Sequence, residues 1–220
     1  MLDKDTEALL YFVKLGLGGD VETYSIREYD WNILKHLSSK HGITAIVVDG
    51  MQCLYKQGCS YLENVNDKQI RLQMFAQTMA IERQYQLYEK EMTNLLAFYQ
   101  QHGLKTLLLK GYGLSLNYPN PAHRPPGDID LYHFGYGGKA DDLLWKELNI
   151  RTKQNEDKHS TFVYKGLSVE NHAVFVNDEC HPSLHSLECF FEEDVDNAIP
   201  YNIRLTEGKE VSLFFPSVTT

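Results

Sequence analysis

Two carboxylates stand two residues apart in the run Gly127-Asp128-Ile129-Asp130-Leu131. Strand residues two apart share a face, so this spacing sends Asp128 and Asp130 to one side and Ile129 and Leu131 towards a core. Carboxylates held that close repel unless a cation lies between them. Hard divalent ions such as Mg²⁺ or Mn²⁺ suit such an oxygen-rich site, completed by water and phosphate oxygens. Upstream, Lys110-Gly111-Tyr112-Gly113 lies where a strand should hand over to a helix. Backbone N–H groups and the helix dipole at such a place suit a phosphate. Lys110 and Arg124 are the natural cations for phosphate charge, and the guanidinium offers a planar fork matched to it. Further on, Glu170 falls between Val169 and Asn171, so a strand there can carry a third carboxylate to the face of the two aspartates.

Each of these residues also has a plainer reading. An Asp-x-Asp pair can be a solvated strand end, and a glycine turn can simply be tight. Arg124 can close a loop through an ion pair, and Lys110 can face solvent at a strand end. Their conjunction in residues 107–134, with Glu170 to follow, points to metal-assisted phosphate chemistry.

The elements that must position these residues follow from periodicity. Residues 5–15, 29–41 and 43–55 read as helices, the first two amphipathic. The longest helix covers 67–101. In it Met74, Ile81, Tyr88 and Leu95 recur every seven residues, as do Thr78, Tyr85, Met92 and Tyr99. Together they make one coiled-coil-like seam; at ~1.5 Å per residue the helix would span about 50 Å. That seam suits packing against the earlier helices or against a second copy in a homodimer. Next come a buried strand over 104–109, a short helix over 114–118, an ordered loop over 117–127 rich in proline and a strand over 128–134. A helix over 139–148 precedes a hairpin of 161–164 and 167–176. A helix over 182–191 and strands over 201–205 and 210–215 complete the pattern. The fold class is α+β: an N-terminal helical region, 1–102, then a core, 103–220, built on a small mixed sheet.

These residues resemble the nucleotidyltransferase superfamily that includes DNA polymerase beta. Its pattern is a glycine-containing turn, a short helix, a strand reading hydrophobic-Asp-hydrophobic-Asp, and a carboxylate on a later strand. The chain is more closely similar to a bacterial nucleotidyltransferase family that carries LKG, YP, R, DIDL, HxxF and VExH. Here these stand at Leu109-Lys110-Gly111, Tyr118-Pro119, Arg124, Asp128 to Leu131, His159 to Phe162 and Val169 to His172. The likeness covers roughly residues 30–176. One departure stands out: the wider superfamily has Gly-Gly or Gly-Ser at the turn, whereas Tyr112 follows Gly111 here. Relatives in that family continue into further helices, so the chain is expected to be a short member or one cut at its C-terminus.

The resemblance implies transfer of a nucleoside monophosphate from an NTP, with ATP the first candidate, to an acceptor hydroxyl. It implies Mg²⁺ or Mn²⁺ held by Asp128, Asp130 and Glu170, with phosphate charge met at Lys110, Gly111, Tyr112, Gly113 and Arg124. It also puts His159 and His172 near the site, touching phosphate or orienting a carboxylate; the plainer reading makes them hydrogen-bonded packing residues. Two rivals stand beside it. One is a non-catalytic nucleotide-binding or interaction protein that kept the fold. The other is a metal-dependent phosphohydrolase, which needs His159 or His172 directly on the metal.

Composition narrows the acceptor. The net charge of −9 argues against a broad nucleic-acid surface, which carries a basic excess, and favours a small molecule or a protein side chain. The acidic start MLDKDTEALL lacks the features of a signal peptide, and no apolar run approaches the roughly 18 residues of a membrane span. A cytoplasmic location follows as the expectation, with Cys53, Cys59, Cys180 and Cys189 as reduced thiols. His181, His185 and Cys189, with Cys180 adjacent, raise a zinc question but lack the paired short spacing of structural zinc sites.

Overall fold

The computed structural model describes residues 2–20, 29–57, 68–155, 159–176, 183–198, 200–204 and 210–214. Its α-helices are α1 (Lys4–Gly16), α2 (Trp31–Lys40), α3 (Thr44–Lys56), α4 (Lys68–Gln101), α5 (Gly111–Ser115), α6 (Gly137–Leu148) and α7 (Leu184–Asp196). Its strands are β1 (Leu107–Leu109), β2 (Ile129–Tyr132), β3 (Lys153–Asn155), β4 (His159–Tyr164), β5 (Leu167–His172), β6 (Pro200–Arg204) and β7 (Glu210–Phe214). The fold is α+β with one long helix, as the periodicity predicts. Two compact units emerge: Met1–Gln86 with Ser115–Pro125, and Leu87–Leu114 with Pro126–Thr220. The division falls inside α4. Among the described residues no helix is long and apolar enough to cross a membrane.

The first unit is helical. Asp3 caps α1 by accepting from the Thr6 N–H at 2.9 Å, and Asp30 caps α2 by accepting from the Asn32 N–H at 2.7 Å. Such caps satisfy backbone donors that a helix start leaves unpaired. Behind them Leu9, Phe12, Leu15, Trp31, Leu34, Val47, Val48, Met51, Leu54 and Met74 form one core. Helices α1 and α3 approach unusually closely, and two glycines allow it. A Cβ on Gly16 would lie 2.0 Å from the Ile46 carbonyl oxygen, and one on Gly50 would lie 2.1 Å from that of Phe12. The proline-rich segment includes a 3₁₀ turn, Pro121–His123, capped by Asn120. Tyr85 on α4 holds the same segment through Ser115, hydroxyl to hydroxyl, at 2.8 Å.

The second unit carries a seven-stranded mixed sheet of order β3-β4-β5-β2-β1-β7-β6. Strand β2 is central and wholly buried, parallel to β5 and antiparallel to β1. On one face Leu107 and Tyr132 pack with Val195 of α7 and Ala198, flanked by Phe134, Phe175 and Phe214. The buried Glu188 carboxylate accepts the backbone N–H groups of Phe175 and Val176, a partner without which a buried charge would be costly.

The α4 seam is filled within one chain. Met74, Thr78, Tyr85, Tyr88, Met92, Leu95 and Tyr99 are buried, and Ile81 is half-buried. A homodimer through α4 would therefore have to use another of its faces. Three local expectations change. The short helix after β1 begins at Gly111, not Leu114, because Lys110 and Gly111 both take positive φ, 43° and 32°, and Lys110 O accepts the Leu114 N–H. With β1 leaving the ladder at that turn, β2 begins at Ile129, and Asp128 precedes it. Strand β3, Lys-Gln-Asn, lacks any apolar alternation and pairs with β4, while the Gln154 side chain donates to Asp141 Oδ2 at 2.9 Å. Residues 58–67, Cys180, His181 and Pro182 lie outside the described residues. Cys59 is among them, and of the zinc candidates only His185 and Cys189 are described; Cys53 and Cys189 are free thiols.

Candidate metal and phosphate site

Sheet register assembles the site. Leu109 pairs with Asp130 on one side of β2, Glu170 pairs with Asp130 on the other, and Thr161 pairs with Glu170 beyond it. Residues in register across neighbouring strands present side chains to the same face, so Asp130 and Glu170 stand side by side. Two positions further along β5, His172 joins that face. Asp130, Glu170 and His172 each bring a ligand atom to within 4.8 Å of the others. The Asp130 carboxylate is buried, at 3% exposure, whereas Glu170 is 25% exposed and opens the group to solvent.

Hydrogen bonds converge on one oxygen. Asp130 Oδ1 accepts from Lys110 Nζ at 3.0 Å and lies 2.9 Å from His172 Nε2. His172 Nε2 is also 3.4 Å from Glu170 Oε2. Burial alone would raise the Asp130 carboxyl, but the bonds from His172 and Lys110 outweigh it and hold the group below its ordinary value near 3.8. The His159 ring stacks on that of His172, with centroids 5.5 Å apart. The bonds to Lys110 and His172 thus favour the ionised form of Asp130.

The turn at Lys110 and Gly111 is built against α4. A Cβ on Gly111 would meet the Asp128 carbonyl oxygen and the Tyr88 hydroxyl, each at 3.4 Å, so the turn, the residue before β2 and α4 meet there. Tyr112 is buried and turns inward; its hydroxyl donates to Glu89 Oε1 at 2.6 Å. Gly113 continues α5, half-buried.

Beneath the sheet a polar chain fixes β5 from the opposite face. Asn171 Nδ2 donates to Asp141 Oδ1 at 2.9 Å, so its Oδ1 is the acceptor that faces His133 Nε2 at 3.2 Å. His133 therefore carries its proton on Nε2, and Nδ1 accepts from the Thr106 hydroxyl at 3.1 Å. Burial pushes this imidazole down to about 4, against a smaller opposing effect of Asn171. Because Asn171 lies between Glu170 and His172, that chain steadies both.

Of the residues singled out by sequence, Asp130, Glu170, His172 and Lys110 are brought together, with His159 beside them. Asp128 is exposed at the start of the strand and outside the group of three. Arg124 is half-buried at the end of the 3₁₀ turn, in the helical unit. Sequence reasoning placed Tyr88 in the α4 seam without a role for its hydroxyl, and gave no role to Glu89, Asn171 and His133, whose partners lie far along the chain.

Two carboxylates and an imidazole on one sheet face, beside a lysine-bearing glycine turn, make a donor set suited to a divalent cation and phosphate oxygens. That is the equipment of a phosphoryl- or nucleotidyl-transfer protein. The chain belongs to a family described as uncharacterised nucleotidyltransferase, which matches residues 27–205. No curated protein and no solved structure matches the chain.

Proposed function

We propose that this protein moves a nucleoside monophosphate from an NTP, ATP first among the candidates, to a hydroxyl on a small-molecule or protein acceptor. The acceptor oxygen forms a bond to the α-phosphorus, the bond from that phosphorus to the β-phosphate bridge breaks, and pyrophosphate leaves in line. Asp130 and Glu170 would hold Mg²⁺ or Mn²⁺, which would supply Lewis-acid stabilisation of developing oxygen charge. The observation that carries this reading is the register match of Asp130 with Glu170, with His172 on the same face.

The chain's own groups divide the remaining work. Lys110 lies beside Asp130 at the turn and offers its ammonium to phosphate oxygens. Gly111 lets the backbone of that turn approach closely. Glu170, the more open carboxylate, can take the acceptor proton. Asp128 is a further carboxylate at the start of the same strand, open to the acceptor side of the reaction. His172 and the stacked His159 orient the carboxylates.

The test is transfer of label from α-labelled ATP, GTP, CTP and UTP in a cell extract with Mg²⁺ or Mn²⁺. Label should reach a product with the wild type and not with Asp130→Asn. Silence with every nucleotide would overturn the transfer reading. A second reading has one observation in its favour: Lys110 and His172 already lie against Asp130 Oδ1, at 3.0 and 2.9 Å. A non-catalytic nucleotide-binding protein would keep that arrangement, and would bind NTP in the same assay without moving label.

A further inference from the structure

Two consecutive residues of α4 touch both halves of the proposed site. The Tyr88 hydroxyl donates to the carbonyl oxygen of Asp128, immediately before β2, at 3.3 Å. The neighbouring Glu89 accepts from the Tyr112 hydroxyl, in the turn after β1, at 2.6 Å. A helix turns about 100° per residue, so adjacent residues point to different places, and here they reach two separate segments. Gly111 closes the triangle, since its α-carbon faces both the Asp128 carbonyl and the Tyr88 hydroxyl.

Bulk explains the arrangement. Tyr88 is 2% exposed and Tyr112 4% exposed, so both rings are gripped by packing while their hydroxyls make specific bonds. A phenol donating to a carboxylate is a charge-assisted bond, shorter and stronger than a neutral one. The turn it anchors holds Lys110 and Gly111 at positive φ, which costs free energy for the lysine and needs support from the surrounding structure.

We infer that Tyr88 and Glu89 are positioning residues for nucleotide binding: through Asp128 and Tyr112 they set the spacing between the Lys110 turn and the strand that carries Asp130. This rests on the nucleotidyltransferase reading. Neither residue touches the reacting atoms. Their effect is on where the turn meets the triphosphate, so loosening them weakens nucleotide binding before it weakens the fold.

The experiment measures ATP, GTP, CTP and UTP binding to the full chain by equilibrium dialysis with Mg²⁺, alongside thermal unfolding. Tyr112→Phe and Tyr88→Phe keep the rings and remove the hydroxyls. Tyr112→Phe should weaken binding of the preferred nucleotide about tenfold, the scale of one hydrogen bond to a charged group, and Tyr88→Phe, which loses a bond to a neutral carbonyl, about fivefold. Glu89→Ala should match Tyr112→Phe, and Glu89→Gln, which keeps an acceptor for Tyr112, should recover most of that loss. A purely structural role would lower the unfolding temperature of the variants and leave their affinity when folded at the wild-type value; that result overturns the inference. Wild-type protein that binds no nucleotide overturns the nucleotidyltransferase reading itself, and the two failures are told apart by the wild-type control.

Discussion

Among the described residues two groupings of a histidine with two carboxylates are built to opposite ends. In the helical unit His123 lies between its partners: Nδ1 is 2.6 Å from Asp49 and Nε2 is 2.9 Å from Glu82. Each ring nitrogen meets its own carboxylate, so the carboxylates sit on opposite sides of the ring. In the sheet unit one nitrogen, His172 Nε2, faces both Asp130 and Glu170, so their oxygens gather on one side. The first arrangement is a closed ion-pair lock. The second leaves converging oxygens for a cation to join. The same residue types thus give two arrangements, set by the direction from which the carboxylates approach the histidine.

Protonation follows the same division. Burial would lower the His123 imidazole, but the bonds to Asp49 and Glu82 carry it above its ordinary value near 6.5. Its two ring nitrogens, each facing a carboxylate, strap the Pro121–His123 turn to Asp49 and Glu82. His133, buried in the sheet unit among neutral partners and Asp141, is pushed the other way.

The largest expected effect comes from breaking the open group. Asp130→Asn should lower nucleotidyl transfer on the order of a thousandfold, about 4 kcal/mol of barrier, with the far-ultraviolet circular dichroism unchanged. Asp128→Asn, outside the group of three, should cost less in the same assay.

Next is the neutral histidine. With a folded value of about 4 below an unfolded value near 6.5, the unfolded chain binds more protons between those limits. Stability contributed by neutral His133 is present above pH 6.5 and is lost as pH falls towards 4, by up to about 3 kcal/mol. Urea unfolding of wild type and His133→Gln across that range checks it: the acid-side slope should be shallower in the variant.

The closed group should behave with the opposite sign. Its raised folded value makes the His123 contribution full below about pH 6.5 and lost as pH rises through the folded pKa. His123→Gln should destabilise by about 2 kcal/mol in acid, less than the loss of a fully buried pair, since the Glu82 side chain is 40% exposed. The gap from wild type should close as pH rises. Smallest is Lys110→Ala: its side chain is 66% exposed, so stability should change by less than about 0.5 kcal/mol while nucleotide affinity drops.

Much of this was legible in the sequence, for identifiable reasons. The α4 seam showed because seven-residue spacing reports burial directly, and Asp130 and Glu170 showed because alternation fixes a strand's faces. Family membership showed in the motif residues from Leu109 to His172. The His123 lock did not, because its partners stand 74 and 41 residues away and no local period links them. The Tyr88 and Glu89 brace was hidden for the same reason: the seam accounts for Tyr88 by its ring and says nothing of its hydroxyl. Strand β3 escaped because an all-polar segment shows no apolar alternation. The start of α5 escaped because two glycines read as a turn, and here the turn is the first residue of the helix.

The central claim is that the open group takes a cation and the closed one does not. Binding of Mn²⁺, followed by water-proton relaxation, measures that directly on the wild type, Asp130→Asn and His123→Gln. One saturable site should appear in the wild type, persist in His123→Gln and vanish in Asp130→Asn. Equal Mn²⁺ binding by wild type and Asp130→Asn, or a site lost only with His123, would contradict the account.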